Sequence, residues 1–159
     1  IPFYDTEGKL IAAQGRALGS HELRYITIKV TEESTKVYGL ERWNSEETTY
    51  IVEGPIDSMF LPNCLAVAGG DLQSIKLDKK QCVLIFDNEP RNEHTVKKLM
   101  RAINDGWNVV VWPKIKIFKD INDLIIDTMT TDEILEMINK NTMNGLEADW
   151  AARGWRNVQ

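Results

Sequence analysis

A chain of 159 residues, 43% of them hydrophobic, can bury a core for one domain, or for one domain with a small appendage. Its formal net charge of −5 is not the footprint of a strongly basic nucleic-acid binder, so composition alone gives no support for a nucleic-acid partner. No apolar run approaches the ~20 residues of a membrane helix, no signal peptide is visible, and two cysteines with two histidines leave no credible zinc site.

The chain opens on Ile1-Pro2 with no methionine, the start expected of a piece of something longer. Residues 1 to about 40 read as a small antiparallel unit. Pro2-Phe3-Tyr4 leads to a turn at Asp5-Thr6-Glu7-Gly8, Lys9 to Leu18 has strand character, a turn follows around Gly19-Ser20, and Tyr25 to Val30 is β-rich and partly alternating. Arg16, Arg24, Lys29 and Lys36 are spaced through this unit with Glu22, Glu32 and Glu33 between them, a pattern that also suits plain solvated strand faces. Glu41 to Thr48 is polar, a loop or short helix linking two units, and Trp43 within it reads as a packing residue.

An α/β pattern begins at Thr49. The strand Thr49–Val52 runs into Glu53-Gly54-Pro55-Ile56-Asp57, which reads as a tight turn and then a short helix over Ile56 to Leu61. Cys64 to Ala68 is a second strand, ending at Gly69-Gly70. Ser74 to Lys80 is polar and surface-like. The third strand, Cys82 to Phe86, is apolar on both faces, as inside a parallel sheet, and ends on Asp87-Asn88-Glu89-Pro90. Both cysteines lie in or beside apolar runs, which predicts reduced core residues and a cytosolic protein. Pro90 fits the first turn of a helix capped near Asn88 or Glu89. Val96, Leu99, Met100 and Ile103 form that helix's apolar stripe and leave Lys97, Lys98 and Arg101 on solvated faces. Asp105-Gly106 ends it.

Trp107 to Trp112 is the fourth strand, after which Lys114 and Lys116 alternate with Ile115 and Ile117. Lys119-Asp120-Ile121-Asn122-Asp123-Leu124 is a third acidic turn. Thr130-x-x-Glu133 is a capping box opening a helix with Ile134, Leu135 and Ile138 inward. Leu146 to Trp155 forms a last short helix, docked by Trp150 and Trp155 or used to bind a partner.

Strands of a parallel sheet point the same way, so their carboxyl ends share one edge, where open α/β sheets bind ligands. Glu53, Asp57, Asp87, Glu89 and Asp120 are expected to converge there. Crowded carboxylates repel one another unless a cation neutralises them, and hard oxygen ligands suit magnesium or manganese rather than zinc. Any one of these acids, taken singly, is equally an ordinary turn residue or a helix N-cap; three such turns in this order favour convergence. There is no Walker lysine loop, no nucleophile elbow and no dinucleotide fingerprint.

Glu53-Gly54 with Asp57, then Asp87-Asn88-Glu89, then the turn at Asp120 resemble the TOPRIM domain shared by DnaG-type primases, topoisomerases and some nucleases, and the chain looks most like the primases of tailed bacteriophages. Gly15-Arg16-Ala17-Leu18, Arg24-Tyr25 and Lys36-Val37-Tyr38-Gly39-Leu40 resemble elements of the basic subdomain that precedes TOPRIM in those primases. The resemblance implies an α/β TOPRIM fold, a small mostly parallel sheet flanked by helices, preceded by a small antiparallel β-rich basic subdomain. It divides the chain into the basic subdomain at residues 1–48, TOPRIM at 49–127 and a helical extension at 128–159. It implies a nucleotidyltransferase, a DNA-directed RNA polymerase that makes short RNA primers on single-stranded DNA during phage DNA replication, with Mg2+ or Mn2+ as cofactor.

In that reading Asp87 and Glu89 are catalytic metal ligands, and Glu53 is a third ligand or orients the attacking hydroxyl. Asp57 and Asp120 support the metal. Arg16, Arg24 and Lys36 grip template or triphosphate, work suited to arginine's planar fork, and Arg91 approaches phosphates beside the acidic turn. The partners implied are a single-stranded DNA template, ribonucleoside triphosphates and a replicative helicase, without a membrane, in the host cytoplasm. The sequence departs from the family at Glu89, which stands for the usual second Asp, and at Asn122, where the third turn's second acid belongs. A TOPRIM nuclease would use the same acids but needs no basic subdomain. A topoisomerase needs a tyrosine nucleophile from further domains, and a non-catalytic module would tether template or dock a helicase.

Overall fold

The computed structural model describes residues 1–19, 25–69, 77–114 and 118–156, arranged around two sheets. The smaller is antiparallel, with β1 (Pro2–Tyr4), β2 (Leu10–Arg16) and β3 (Tyr25–Lys29) side by side in that order. Asp5 starts its first turn by accepting the amides of Glu7 and Lys9 at 3.0 and 2.9 Å. Its buried side is thin: Phe3 and Ala12 pack with Ala68, while Ile26 and Ile28 lie exposed.

The larger sheet has six strands in the order β4-β6-β5-β7-β8-β9. These are β4 (Val37–Tyr38), β5 (Thr49–Val52), β6 (Cys64–Val67), β7 (Cys82–Leu84), β8 (Asn108–Val110) and β9 (Thr142–Met143). The four inner strands are parallel, and both edges are closed by antiparallel strands of two residues each, too short to recruit another chain. Every residue of β5, β6 and β7 is buried, as their continuous apolar runs required. The two sheets meet where Phe3 packs edge-on against Tyr38, ring centroids 5.3 Å apart. A mostly parallel sheet flanked by helices, with a small antiparallel sheet before it, is the architecture expected from the sequence.

The helices are α1 (Pro55–Ser58), α2 (Glu93–Asn104), α3 (Ile121–Ile126), α4 (Thr131–Lys140) and α5 (Gly145–Arg156). The first is shorter than the expected 56–61 and carries Pro55 at its first position. The capping box of α4 forms as read, Glu133 Oε2 accepting the Thr130 amide at 2.8 Å and Thr130 Oγ1 accepting the Glu133 amide at 3.3 Å.

Two expectations are corrected. The long helix α2 does not begin at Pro90. Its N-cap is Asn92, which accepts the amides of His94 and Thr95 at 3.0 and 3.4 Å, while the Asn88 side chain is turned to Phe118 and Trp155 and Glu89 bonds the side chains of Asn92 and Thr95. In α5 only Trp155 docks, 4% exposed, whereas Trp150 is 80% exposed. Residues five apart on a helix are separated by about 140° around its axis, so both cannot face one core.

Cys64 and Cys82 are free and buried, and burial pushes both thiols up, Cys82 to about 11, so they stay protonated core residues. Among the described residues no helix is long and apolar enough to cross a membrane.

Candidate active site

The strands β5 and β7 are parallel neighbours, with Thr49 opposite Cys82 and Ile51 opposite Leu84. The Ile85 amide extends this pairing by donating to the Ile51 carbonyl at 2.9 Å. The acids that follow the two strands therefore leave the sheet at the same edge. Glu53, Asp57, Asp87 and Asp120 line one small cleft there, with Val52, Ile85, Phe86, Trp112 and Ile121 as its apolar wall. Trp112 is fixed in that wall by its indole N–H, which donates to the Phe86 carbonyl at 2.7 Å.

Ionising these acids is resisted. Burial, and then the negative charge of Glu53, push Asp87 up from 3.8 to about 6, although Lys119 pulls the other way. Burial also pushes Asp57 up from 3.8 to about 6, with Asp120 adding to it and the Asn122 amide opposing it.

Two lysines supply the counter-charge. Lys119 Nζ lies 3.4 Å from Asp87 Oδ2 and 3.6 Å from Glu89 Oε1. Lys98 Nζ lies 3.2 Å from Glu53 Oε1 and is 22% exposed. The solvated face expected for Lys98 is thus corrected: packing of α2 on the sheet turns it toward Glu53, and no local signal in the sequence marks it. With the lysines in these positions the carboxylates share a rim, and among the described residues no three acidic, histidine or cysteine side chains close on one point.

Glu89 stands beside the cleft rather than in its lining. Its Oε2 accepts from Asn92 Nδ2 at 3.0 Å and from Thr95 Oγ1 at 3.3 Å, and Lys119 links it to Asp87. Gly54 is closely approached rather than unusually turned: its φ is −104°, and a Cβ there would lie 2.6 Å from Asp57 Oδ2, so the carboxylate would have to shift. In the third turn Asp120 Oδ1 accepts the Asp123 amide, and Asp123 Oδ2 accepts the Lys119 amide, both at 2.9 Å. Asn122 contributes main chain, its amide donating to Asp57 Oδ1 at 2.9 Å, so the departure from an acid at that position leaves this bond intact.

The residue between the second pair of acids was missed by sequence reading. The Asn88 amide donates to the Lys119 carbonyl at 2.6 Å, its Nδ2 donates to the Phe118 carbonyl at 3.0 Å, and its Oδ1 accepts from Trp155 Nε1 at 2.8 Å. Asn88 thereby ties the second acidic turn to the third and to α5.

Of the basic residues, Arg16 ends β2 with its guanidinium 5.5 Å from the centre of the Tyr25 ring. Lys36 is exposed, and its carbonyl accepts the Ala68 amide at 3.1 Å. Because β4 runs antiparallel to β6, Lys36 sits at the carboxyl edge, two strands from Glu53, or about 10 Å across the sheet. Arg91 lines a separate open cleft beside Glu93 and Arg156. Arg24 lies outside the described residues, as do Ile115, Lys116 and Ile117.

No protein-family model matches the chain. It is 39% identical over 153 residues to the DNA primase of Enterobacteria phage T4, an alignment spanning 93% of this chain and 44% of that protein's length. The chain resembles a phage DNA primase. The fold agrees. The Escherichia coli primase catalytic core superposes with a TM-score of 0.64 at 17% identity, covering 89% of this chain and 51% of that one. A DnaG primase catalytic domain bound to single-stranded DNA superposes with a TM-score of 0.61 at 18% identity, covering 90% and 52%. The likeness to DnaG-type primases, and to those of phages in particular, is thus borne out by both sequence and fold.

Proposed function

We propose that this chain is the catalytic core of a DNA primase, a nucleotidyltransferase that makes short RNA primers on single-stranded DNA during phage DNA replication. The observation that carries the reading is the cleft where Glu53, Asp57, Asp87 and Asp120 meet at the carboxyl edge of the sheet. Its likeness to the phage T4 primase over most of the chain supports the choice of reaction.

The donor set fits a hard divalent cation: every candidate ligand is a carboxylate oxygen, and Asp87 and Asp57 are pushed up first by burial and then by the charge of neighbouring acids, a crowding that a cation would relieve. Asp87, Glu89 and Glu53 would hold magnesium or manganese, with Asp57 and Asp120 in support. Once bound, such an ion neutralises phosphate charge and makes a hydroxyl a better nucleophile.

The chain's own groups do the rest. Glu53 is a ligand of the ion or orients the attacking hydroxyl, and the Asn122 amide and the close-fitting Gly54 fix Asp57. Asn92 and Thr95 aim Glu89. Trp112 and Phe86 keep water from one side of the acids, which strengthens every charge interaction there. Residues 1–48 are the basic subdomain, where Arg16, Arg24 and Lys36 grip template or triphosphate. Residues 49–127 are TOPRIM, with Arg91 at its acidic turn, and 128–159 are the helical extension. Ribonucleoside triphosphates and a single-stranded DNA template are the substrates, a replicative helicase is the partner, and the host cytoplasm is the setting.

The test is a primer-synthesis assay with labelled ribonucleotides, magnesium or manganese, and a single-stranded template, paired with calorimetric titration of manganese. Short labelled RNA and manganese binding, both lost in Asp87→Ala, are expected. Primer synthesis surviving Asp87→Ala would falsify the assignment. Absence of manganese binding at millimolar concentration points instead to a non-catalytic module, and cleavage of labelled RNA or DNA points to a nuclease.

A further inference from the structure

Arg91 and Arg156 line one open cleft of about 460 Å3 together with Pro90, Glu93, Val96 and Lys97. They come from distant parts of the chain. Arg91 lies in the turn that carries Asp87 and Glu89, and Arg156 is the last residue of α5. Neither guanidinium has a carboxylate partner among the described residues, while Lys97 shares Glu93 at 3.3 Å in a pair open to water. The lining thus carries three cations against one anion in a chain of net charge −5. Such a local excess is a departure from the molecule's average that solubility does not require.

The placement is fixed rather than incidental. Trp155, immediately before Arg156, is buried and donates its indole N–H to Asn88, the residue between Asp87 and Glu89. The helices α2 and α5 pack together along this seam. The end of α5 is therefore pinned to the acidic turn, and the cationic cleft shares no lining residue with the carboxylate cleft.

We propose that this cleft is a phosphate site in which Arg91 and Arg156, assisted by Lys97, hold phosphate oxygens next to the acidic rim. The planar guanidinium pairs with two phosphate oxygens at once, and two arginines without carboxylate partners need break no ion pair to do so. The source of the phosphate, a nucleoside triphosphate or a nucleic-acid backbone, rests on the primase reading; the site itself does not. It gives α5, outside the acid-bearing turns, a direct part in ligand binding.

The experiment uses the whole chain in EDTA, so no metal or acid-rim chemistry enters. Two probes are titrated, inorganic tripolyphosphate by calorimetry and a fluorescein-labelled single-stranded oligodeoxynucleotide by anisotropy. Arg91→Gln and Arg156→Gln are compared with Arg153→Gln, whose side chain is held by Asp149 at 2.8 Å outside this cleft. Both cleft arginines are exposed, so the variants should melt like the parent. Each cleft variant is expected to weaken binding by about three- to tenfold, with Arg153→Gln within about twofold.

Weakening confined to tripolyphosphate assigns the site to triphosphates. Weakening confined to the oligonucleotide, with the salt dependence falling by about one counterion, assigns it to a backbone phosphate. Parent-like binding of both probes by Arg156→Gln overturns the proposal, as does a parent chain that binds neither. Unchanged binding alongside primer synthesis that depends on Asp87 sinks this site alone. Weakened binding alongside primer synthesis indifferent to Asp87 sinks the primase reading and leaves the site.

Discussion

The six-stranded and three-stranded sheets differ in how much of themselves they bury. In β5, β6 and β7 every residue is buried, whereas no residue of β3 is, and the small sheet's buried cluster is Phe3 and Ala12 against Ala68. The acids of the candidate site leave the deeply packed sheet, where neighbouring strands hold Glu53 and Asp87 in place. Arg16 belongs to the thinly packed one, held to the rest largely through Phe3 and Tyr38. Carboxylates brought together against their mutual repulsion need a scaffold that does not give way. A cation proposed to meet a phosphate from solvent, as Arg16 is, does not need one.

The comparison breaks most visibly in activity. Asp87→Ala is expected to lower primer synthesis by at least about a thousandfold, a transition-state loss of about 4 kcal/mol, and Arg16→Ala by about tenfold, mainly through KM. Equal losses in a steady-state assay would contradict the division of labour.

Stability comes next. Leu84→Ala, in the fully buried strand, should cost about 3 kcal/mol in a urea melt. Phe3→Ala should raise hydrogen exchange in β1 to β3 while β5 to β7 stay protected. A Phe3→Ala variant that loosens both sheets equally would show that they unfold as one.

Gly54→Ala sharpens the picture within the rim. The added methyl meets the Asp57 carboxylate, so a loss of about 1–2 kcal/mol is expected, much reduced when Asp57→Ala is combined with it. Additive losses in the double-mutant cycle would place the strain elsewhere.

The smallest effect is the pH dependence. Burial pushes Asp57 and Asp87 up to about 6 from 3.8, so the folded chain keeps protons that the unfolded chain releases sooner. From these two groups the metal-free protein gains stability that is complete below the ordinary carboxylate range and is lost as pH rises through about 6. A divalent ion requires the ionised acids, so manganese should raise the Tm more at about pH 7.5 than at about pH 5.5. Equal shifts by scanning calorimetry would mean that manganese is not held by these carboxylates.

Much of this was legible from the chain itself. The strand Thr49–Val52 and the acids Glu53, Asp87 and Asp120 stood out because an apolar run ending at a charged turn is a local pattern, and the parallel order of strands then places the turns on one edge. The capping box at Thr130 needed only residues three apart. The expectation that Trp150 and Trp155 both dock α5 failed on their spacing, since residues five apart on a helix face different ways. The start of α2 was not legible, since Asn88 and Asn92 are equally good caps, and the bonds of Asn88 to Phe118 and Trp155 decide between them. Edge strands of two residues, β4 and β9, carry too little pattern to be seen at all.

From its amino acids alone, then, the protein has its central apolar strands, the capping box of α4 and the carboxylates at its strand ends, because each rests on interactions between near neighbours in the chain. Folding in three dimensions decided which cation answers which acid. Lys98 reaches Glu53 across 45 residues, and Lys119 spans Asp87 and Glu89, since those pairings depend on how α2 and the turn before α3 pack on the sheet. The same packing brings Arg156 beside Arg91, for side chains distant in sequence become neighbours only when the layers that carry them close.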